Sequence, residues 1–339
     1  ARFTRTGGES MAVAVRTARA FTGRDHVAIC GYHGWHDWYL AANLPDVQGP
    51  AATEAGGTAA LAGHLLPGLE PNGVPRPLGG LTHTFAYNRL DQLEEVFAAH
   101  GKNLAAVVME STRGVDPEPG FLEGVRERCT KNGTLLVFDE ITIGWRLCLG
   151  GAHLKFGVEP DLAAFAKAIS NGFALGAVIG TRPVMEAVQT TFISSAYWTE
   201  GVGPAAGRAA VGKMQSTDVP AHITRIGRLM MDGWRRLAEK HSLPLRATGR
   251  PENASLVFDH PEAAALMTLL TVRMLAKGFL AGSYFNAMLA HEPRHVDAYL
   301  AALDEVCGEL RDAIGDEPAA LRRRIGGPVK HTGFARLVS

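Results

Sequence analysis

Two rhythms of apolar and polar positions alternate along the first two thirds of the chain. Short apolar runs bounded by polar or turn residues occur at 26–30 (HVAIC), 104–109 (LAAVVM), 134–138 (TLLVF), 162–166 (LAAFA) and 175–180 (LGAVIG). Runs of this length and composition predict buried strands. Between them, stretches at 9–22, 90–100 and 119–131 carry apolar residues at helical spacing. Strands alternating with helices predict an α/β fold built on a mostly parallel, doubly wound sheet. A helix over 203–215 closes this region. Residues 216–220 (STDVP) read as a hinge and helix start, and 221–240 as a helix. Strand-like pieces near 244–258 and helices over 261–277 and 293–313 then predict a smaller α+β domain. The expected division is a large domain over 1–217 and a small C-terminal domain over 218–339.

Residues 44–82 break the rhythm. They are rich in Gly, Pro, Ala and Thr, as in GPAATEAGGTAALAG and LPGLEPNGVPRPLGG. This composition predicts a long loop, either a mobile surface excursion or a lid over a site.

The bulk properties narrow the function classes. The 339 residues suffice for two domains, and a composition of 46% hydrophobic and 20% charged residues is that of a globular protein with ample core. Lys+Arg and Asp+Glu both total 34, so no net charge attracts a nucleic acid or an anionic membrane. No apolar run is long enough for a membrane span, and no secretory signal is expected. Cys30, Cys129, Cys148 and Cys307 form no CxxC pair, and no His/Cys cluster has metal-ligand spacing. The expectation is a reducing, cytoplasmic location without a metal. Ala1-Arg2-Phe3-Thr4 leads straight into what reads as the middle of a fold, so an N-terminal segment is expected to be missing.

Four short segments carry candidate chemistry. The run Val137-Phe138-Asp139-Glu140-Ile141 delivers an Asp to the C-terminal end of a strand, the edge where open α/β sheets bind ligands. Read alone, Asp139 could simply cap a turn. In Phe165-Ala166-Lys167-Ala168 a second buried strand ends in a lone lysine. A buried amine has a lowered pKa and a lone pair free to attack a carbonyl. A lysine snorkelling at a strand end is the plainer alternative. Thr6-Gly7-Gly8-Glu9-Ser10 opens a helix, where backbone N–H groups suit a phosphate, although most Gly-Gly pairs are ordinary turns. Gly31-Tyr32-His33-Gly34 places a flat aromatic between glycines, able to stack on a planar ring or to pack on the core. Together they offer a phosphate cradle, a stacking ring, a carboxylate for a protonated ring nitrogen and an amine for an aldehyde. Those are the contacts pyridoxal 5'-phosphate (PLP) needs.

With these segments in place, the sequence resembles the class III aminotransferases of fold type I, within them the glutamate-1-semialdehyde aminomutase-like branch. The likeness runs through RFTRTGGESMAVAVRTARAFTGRD, YHGWHDW, LLVFDEITIGWR, GVEPDLAAFAKAISNGFALGAVIG, YWTEGVGPAA and HTGFARL, in that order. It implies a fold type I large domain, PLP as cofactor, and a homodimer with active sites at the subunit interface. It further implies that Lys167 forms the Schiff base and shuttles the proton, and that Asp139 pairs with the pyridinium nitrogen. Ile141 would pack under the ring and Tyr32 stack on its other face. Gly7 and Gly8 would donate N–H groups to the phosphate, Thr199 would reach the neighbouring subunit's phosphate, and Glu110 would stand at the pocket rim. Family members commonly carry Ser or Thr where this chain has Gly8, which implies one hydroxyl contact fewer.

The leading expectation is therefore transfer of an amino group between a small-molecule amine or amino acid and a carbonyl acceptor. An intramolecular aminomutase uses the same contacts and is the alternative within enzymes. A catalytically silent homologue serving as a binding or scaffold subunit is the alternative outside them; intact Asp139 and Lys167 argue against it, and the missing N-terminal segment for it.

Overall fold

The computed structural model describes residues 1–44, 70–194 and 200–331. Its contacts divide the chain into two units, Ala1–Thr217 and Asp218–Ser339. The first is organised by a seven-stranded sheet: β1 (Arg2–Thr4), β2 (His26–Cys30), β3 (Thr82–Thr84), β4 (Leu104–Met109), β5 (Leu135–Asp139), β6 (Leu162–Phe165) and β7 (Gly176–Gly180). The strand order is β1-β7-β6-β5-β4-β2-β3. Strands β3, β2, β4, β5 and β6 run parallel, while β7 is antiparallel to both β6 and β1. The parallel core directs five strand C-termini to one edge.

Among the described residues of this unit, the helices of eight or more residues are α1 (Gly7–Thr22), α2 (Leu90–His100), α3 (Phe121–Asn132) and α4 (Val202–Ser216). Strand β2 shows why both sheet faces are covered. Val27 and Ile29 join Met11 and Val15 of α1 in one core cluster. Ala28 and Cys30 join Leu93 of α2 and Val125 of α3 in another. Successive side chains point to opposite faces, so a strand apolar at every position must be buried on both.

Helix α1 is nucleated by its sequence. The Thr6 side chain accepts from the Glu9 backbone N–H at 3.2 Å, and the Glu9 carboxylate accepts from the Arg5 N–H at 2.7 Å. This reciprocal capping fixes where the helix begins. Gly23 ends it in the left-handed region at φ 66°, its N–H returning to the Arg19 carbonyl.

The second unit holds α5 (Val219–Lys240), a three-stranded antiparallel sheet of β8 (Leu245–Arg250), β9 (Asn253–Phe258) and β10 (Tyr284–Asn286), and helices α6 (Ala263–Ala276), α7 (Pro293–Ala313) and α8 (Pro318–Ile325). Asp218 caps α5 by accepting from the Ala221 N–H at 3.1 Å. Gly227 lets α5 lie against the hairpin backbone: a Cβ there would stand 1.8 Å from the Pro251 carbonyl oxygen.

The structure corrects several expectations. Thr82 belongs to strand β3, not to the loop expected over 44–82. Residues 45–69, on which the lid reading falls, lie outside the described residues. Strand β5 extends to take in Asp139, and β6 stops at Phe165. Among the described residues no helix is long and apolar enough to cross a membrane.

Candidate active site

The C-terminal strand edge of the first unit gathers most of the residues singled out by sequence. Asp139, the last residue of β5, is 4% exposed. Its Oδ1 accepts from the Ile141 N–H at 3.0 Å, and its Oδ2 lies 2.8 Å from His33 Nδ1. His33 follows β2 and is buried, with its Nε2 3.1 Å from the Cys30 carbonyl. A carbonyl only accepts, so Nε2 carries a proton. In the sequence His33 carries no role of its own beyond its place in the turn; an aromatic turn just after a strand is the only local signal for it.

Lys167 stands at the start of a one-turn 3₁₀ helix, Lys167–Ile169, immediately after β6 and Ala166. Its Nζ donates to Thr142 Oγ1 at 2.7 Å. The expectation of a buried lysine is corrected: the residue is exposed. Even so, the surrounding protein lowers its pKa, with desolvation the main cause; nearby Asp139 and Glu110 oppose the shift and Arg146 adds to it. Its backbone is held at φ 47°, a left-handed conformation that a residue with a Cβ adopts at a cost.

Glu110 follows β4 and approaches Gly31 closely, since a Cβ on Gly31 would stand 3.0 Å from Glu110 Oε2. Burial, then the Asp139 charge, pushes its carboxyl up to about 7, while His33, Arg113 and Lys167 pull the other way. Arg113 Nε lies 3.6 Å from it. Tyr32 meets Tyr39 edge-on at 5.7 Å, and its phenol is raised by desolvation and by Asp139.

Gly7 and Gly8 are the first two residues of α1. Among the described residues their N–H groups have no acceptor, as expected in a first helical turn. A Cβ at Gly7 would stand 2.9 Å from Ile141 Cδ1, so Ile141 packs directly on the glycine backbone. A Cβ at Gly34 would stand 2.9 Å from the Gly8 Cα, and Gly34 has φ 104°. The Tyr-His-Gly turn and the helix start therefore touch backbone to backbone. Thr199 lies outside the described residues.

Glu140, adjacent to Asp139 and fully buried, does different work. It accepts from Ser111 Oγ at 2.9 Å, the Ala152 N–H at 2.8 Å, the His153 N–H at 3.1 Å and His153 Nδ1 at 2.9 Å. This carboxylate ties β5 to the turn at 151–153 and to the segment after β4. The sequence reading gave it no part, because its partners are distant in the chain.

PLP fits this arrangement on the donor chemistry of the site. A buried carboxylate, an amine of lowered pKa and a helix start with open N–H groups, where Ile141 fills the space a Cβ would take, are groups that would suit a pyridinium, an aldehyde and a phosphate respectively.

Comparison with known proteins agrees. The model of the family "Aminotransferase class-III" matches residues 1–289. The 3-aminobutyryl-CoA aminotransferase of Cloacimonas acidaminovorans (strain Evry) is 29% identical over 90% of this chain and 69% of its own length. The glutamate-1-semialdehyde 2,1-aminomutase of Anaeromyxobacter dehalogenans (strain 2CP-C) is 32% identical over 86% of this chain and 65% of its own. Among solved structures, a transaminase with PLP bound superposes with a TM-score of 0.78 at 22% identity, over 93% of this chain and 74% of the other. The scaffold-subunit alternative finds no support among these relatives. The chain belongs to the class-III aminotransferases, enzymes whose cofactor is PLP.

Proposed function

We propose that this chain transfers an amino group between a small amine or amino acid and a carbonyl acceptor, with Lys167 and Asp139 as its catalytic residues. The observation that carries this reading is the meeting of Lys167, Asp139 and the α1 N-terminus at one sheet edge. Gly7 and Gly8 would hold the PLP phosphate through backbone N–H groups, and Asp139 would accept from the pyridine nitrogen. Ile141 and Tyr32 would flank the ring, and Glu110 would stand at the rim. When bound, PLP supplies an electron sink for the substrate carbon that loses its proton.

The residues of the chain do the rest. Desolvation keeps a larger fraction of Lys167 neutral, so its amine can form the covalent link to the cofactor and later carry a proton. Thr142 fixes the direction of Nζ by accepting its hydrogen bond. His33 fixes Asp139 from the side opposite the Ile141 N–H. The test is reconstitution with PLP followed by a panel of amine donors. Release of the keto product only with a suitable donor and an added acceptor supports transfer. No turnover with any donor would sink it.

The aminomutase reading is favoured specifically by the 32% identical aminomutase relative. It predicts amino-group migration within one substrate without any added acceptor. We also propose a homodimer: Trp35, Phe173, Phe192 and Val202 are large apolar side chains exposed on the first unit, as at protein interfaces. Four free cysteines fit a reducing, cytoplasmic location.

A further inference from the structure

At the sheet edge opposite the active site, the apolar layer between β2 and α2 ends in imidazoles. Ala28 and Cys30 face α2, and His26 lies two residues before Ala28 on the same side of the strand. His83 of the edge strand β3 stands in register with Ala28. On α2, Leu93, Val96 and Phe97 pack into the same cluster, and His100 continues that face as the last residue of the helix. Three elements thus bring three half-buried histidines to one point.

Their geometry is tight. His26 Nδ1 and His83 Nε2 lie 2.9 Å apart. The His83 and His100 rings stack at 3.7 Å, and the His26 and His100 rings at 5.3 Å. One ligand nitrogen from each ring lies within 4.8 Å of the other two. His83 and His100, with Glu95, line an open depression of about 400 Å³.

We infer that His26, His83 and His100 form a binding site for a divalent transition cation of the zinc class. Neutral imidazole is the preferred ligand of Zn²⁺, Ni²⁺ and Cu²⁺. Zn–N bonds of about 2.0–2.1 Å in a tetrahedral site set nitrogens roughly 3.4 Å apart. Reaching that spacing from within 4.8 Å would require the His83 and His100 rings to rotate about their Cβ–Cγ bonds. The C-terminal end of α2, where His100 sits, carries partial negative charge that favours a cation. A water would take the fourth position. Strands and a helix, not loops, carry the ligands, so the site needs little ordering on binding. Its role would be to clamp edge strand β3 to β2 and α2. No short sequence spacing marks this trio, because its members are spread over 26, 83 and 100.

The test uses tag-free, PLP-loaded enzyme titrated with Zn²⁺ against a chromophoric competitor, with the His83→Gln and His100→Gln variants in parallel. One equivalent per chain, a rise in melting temperature with Zn²⁺, and a Kd raised about tenfold or more in each variant with kcat unchanged would support the site. No binding, or equal affinity in wild type and both variants, overturns it. Because a variant could be misfolded, Co²⁺ is added to wild type alone. Tetrahedral d–d bands support imidazole ligation, and octahedral aquo-ion bands overturn it.

Discussion

His33 Nδ1 lies 2.8 Å from Asp139 Oδ2, and the same ring holds the Cys30 carbonyl at 3.1 Å through Nε2. The imidazole is a strut between the end of β2 and the end of β5. Replacing His33 by Ala leaves a buried carboxylate oxygen and a carbonyl without their donor. A hydrogen bond to a charged group contributes roughly 1.5–3 kcal/mol, so we expect that loss in chemical denaturation. Turnover should fall as Asp139 loses its orientation while PLP remains bound. Wild-type stability and turnover in this variant would remove the strut.

Asp139→Asn preserves the acceptor for the Ile141 N–H but offers no charge to a protonated ring nitrogen. The cofactor should stay, held at its phosphate, and most turnover should be lost. Absorbance and initial rates measure the two separately. Full turnover would refute the pairing of Asp139 with the pyridine nitrogen.

Lys167→Ala should abolish attachment of PLP after borohydride reduction, read by mass spectrometry. Attachment at wild-type stoichiometry would place the reactive amine elsewhere.

Glu110 predicts a pH dependence in the cofactor-free protein. Its carboxyl rises from 4.5 to about 7 in the folded chain, mainly through desolvation. Between these values the folded state binds more protons than the unfolded state, so this residue's contribution to stability falls as pH rises from 4.5 through 7. Above pH 7 the penalty approaches about 3 kcal/mol. Glu110→Gln should therefore be more stable than wild type at pH 8, with the advantage vanishing near pH 4.5. An advantage that is constant across that range, or absent, contradicts the buried-charge account.

The two helix-start glycines should behave differently. Gly8 has no positive φ, and an added Cβ meets the His36 ring at 3.1 and 3.2 Å and the Gly34 Cα at an ordinary contact distance of 3.8 Å. Gly8→Ser should fold once that ring shifts, and its hydroxyl should tighten PLP binding severalfold. Gly7→Ser drives a Cβ into Ile141 and should weaken PLP binding and stability together. Equal effects at both positions, in cofactor titration and melting, would contradict this packing.

Much of this was legible in the chain because the signals are local. The run at 90–100 gives α2 to the residue, and HVAIC gives β2, since periodicity and apolar runs are read within a dozen residues. Strands β1, β3 and β10 were missed because three residues carry no measurable alternation. Asp139 and Lys167 were recognisable as polar residues ending apolar runs. His33, Glu140 and the imidazole trio were not, because each acquires meaning only from partners brought in by the fold. The exposure of Lys167 was misjudged for a related reason: an apolar run says what lies behind a strand end, not what faces it.

The left-handed backbone of Lys167 sets the interests of the fold against those of the chemistry. A residue with a Cβ at this φ costs about 1 kcal/mol, and glycine would relieve it. With Lys167 in its proposed role, the sequence that folds best at this position is not the one that reacts. A screen that selected only for thermal endurance would drift toward glycine at 167 and yield sturdier, inert descendants.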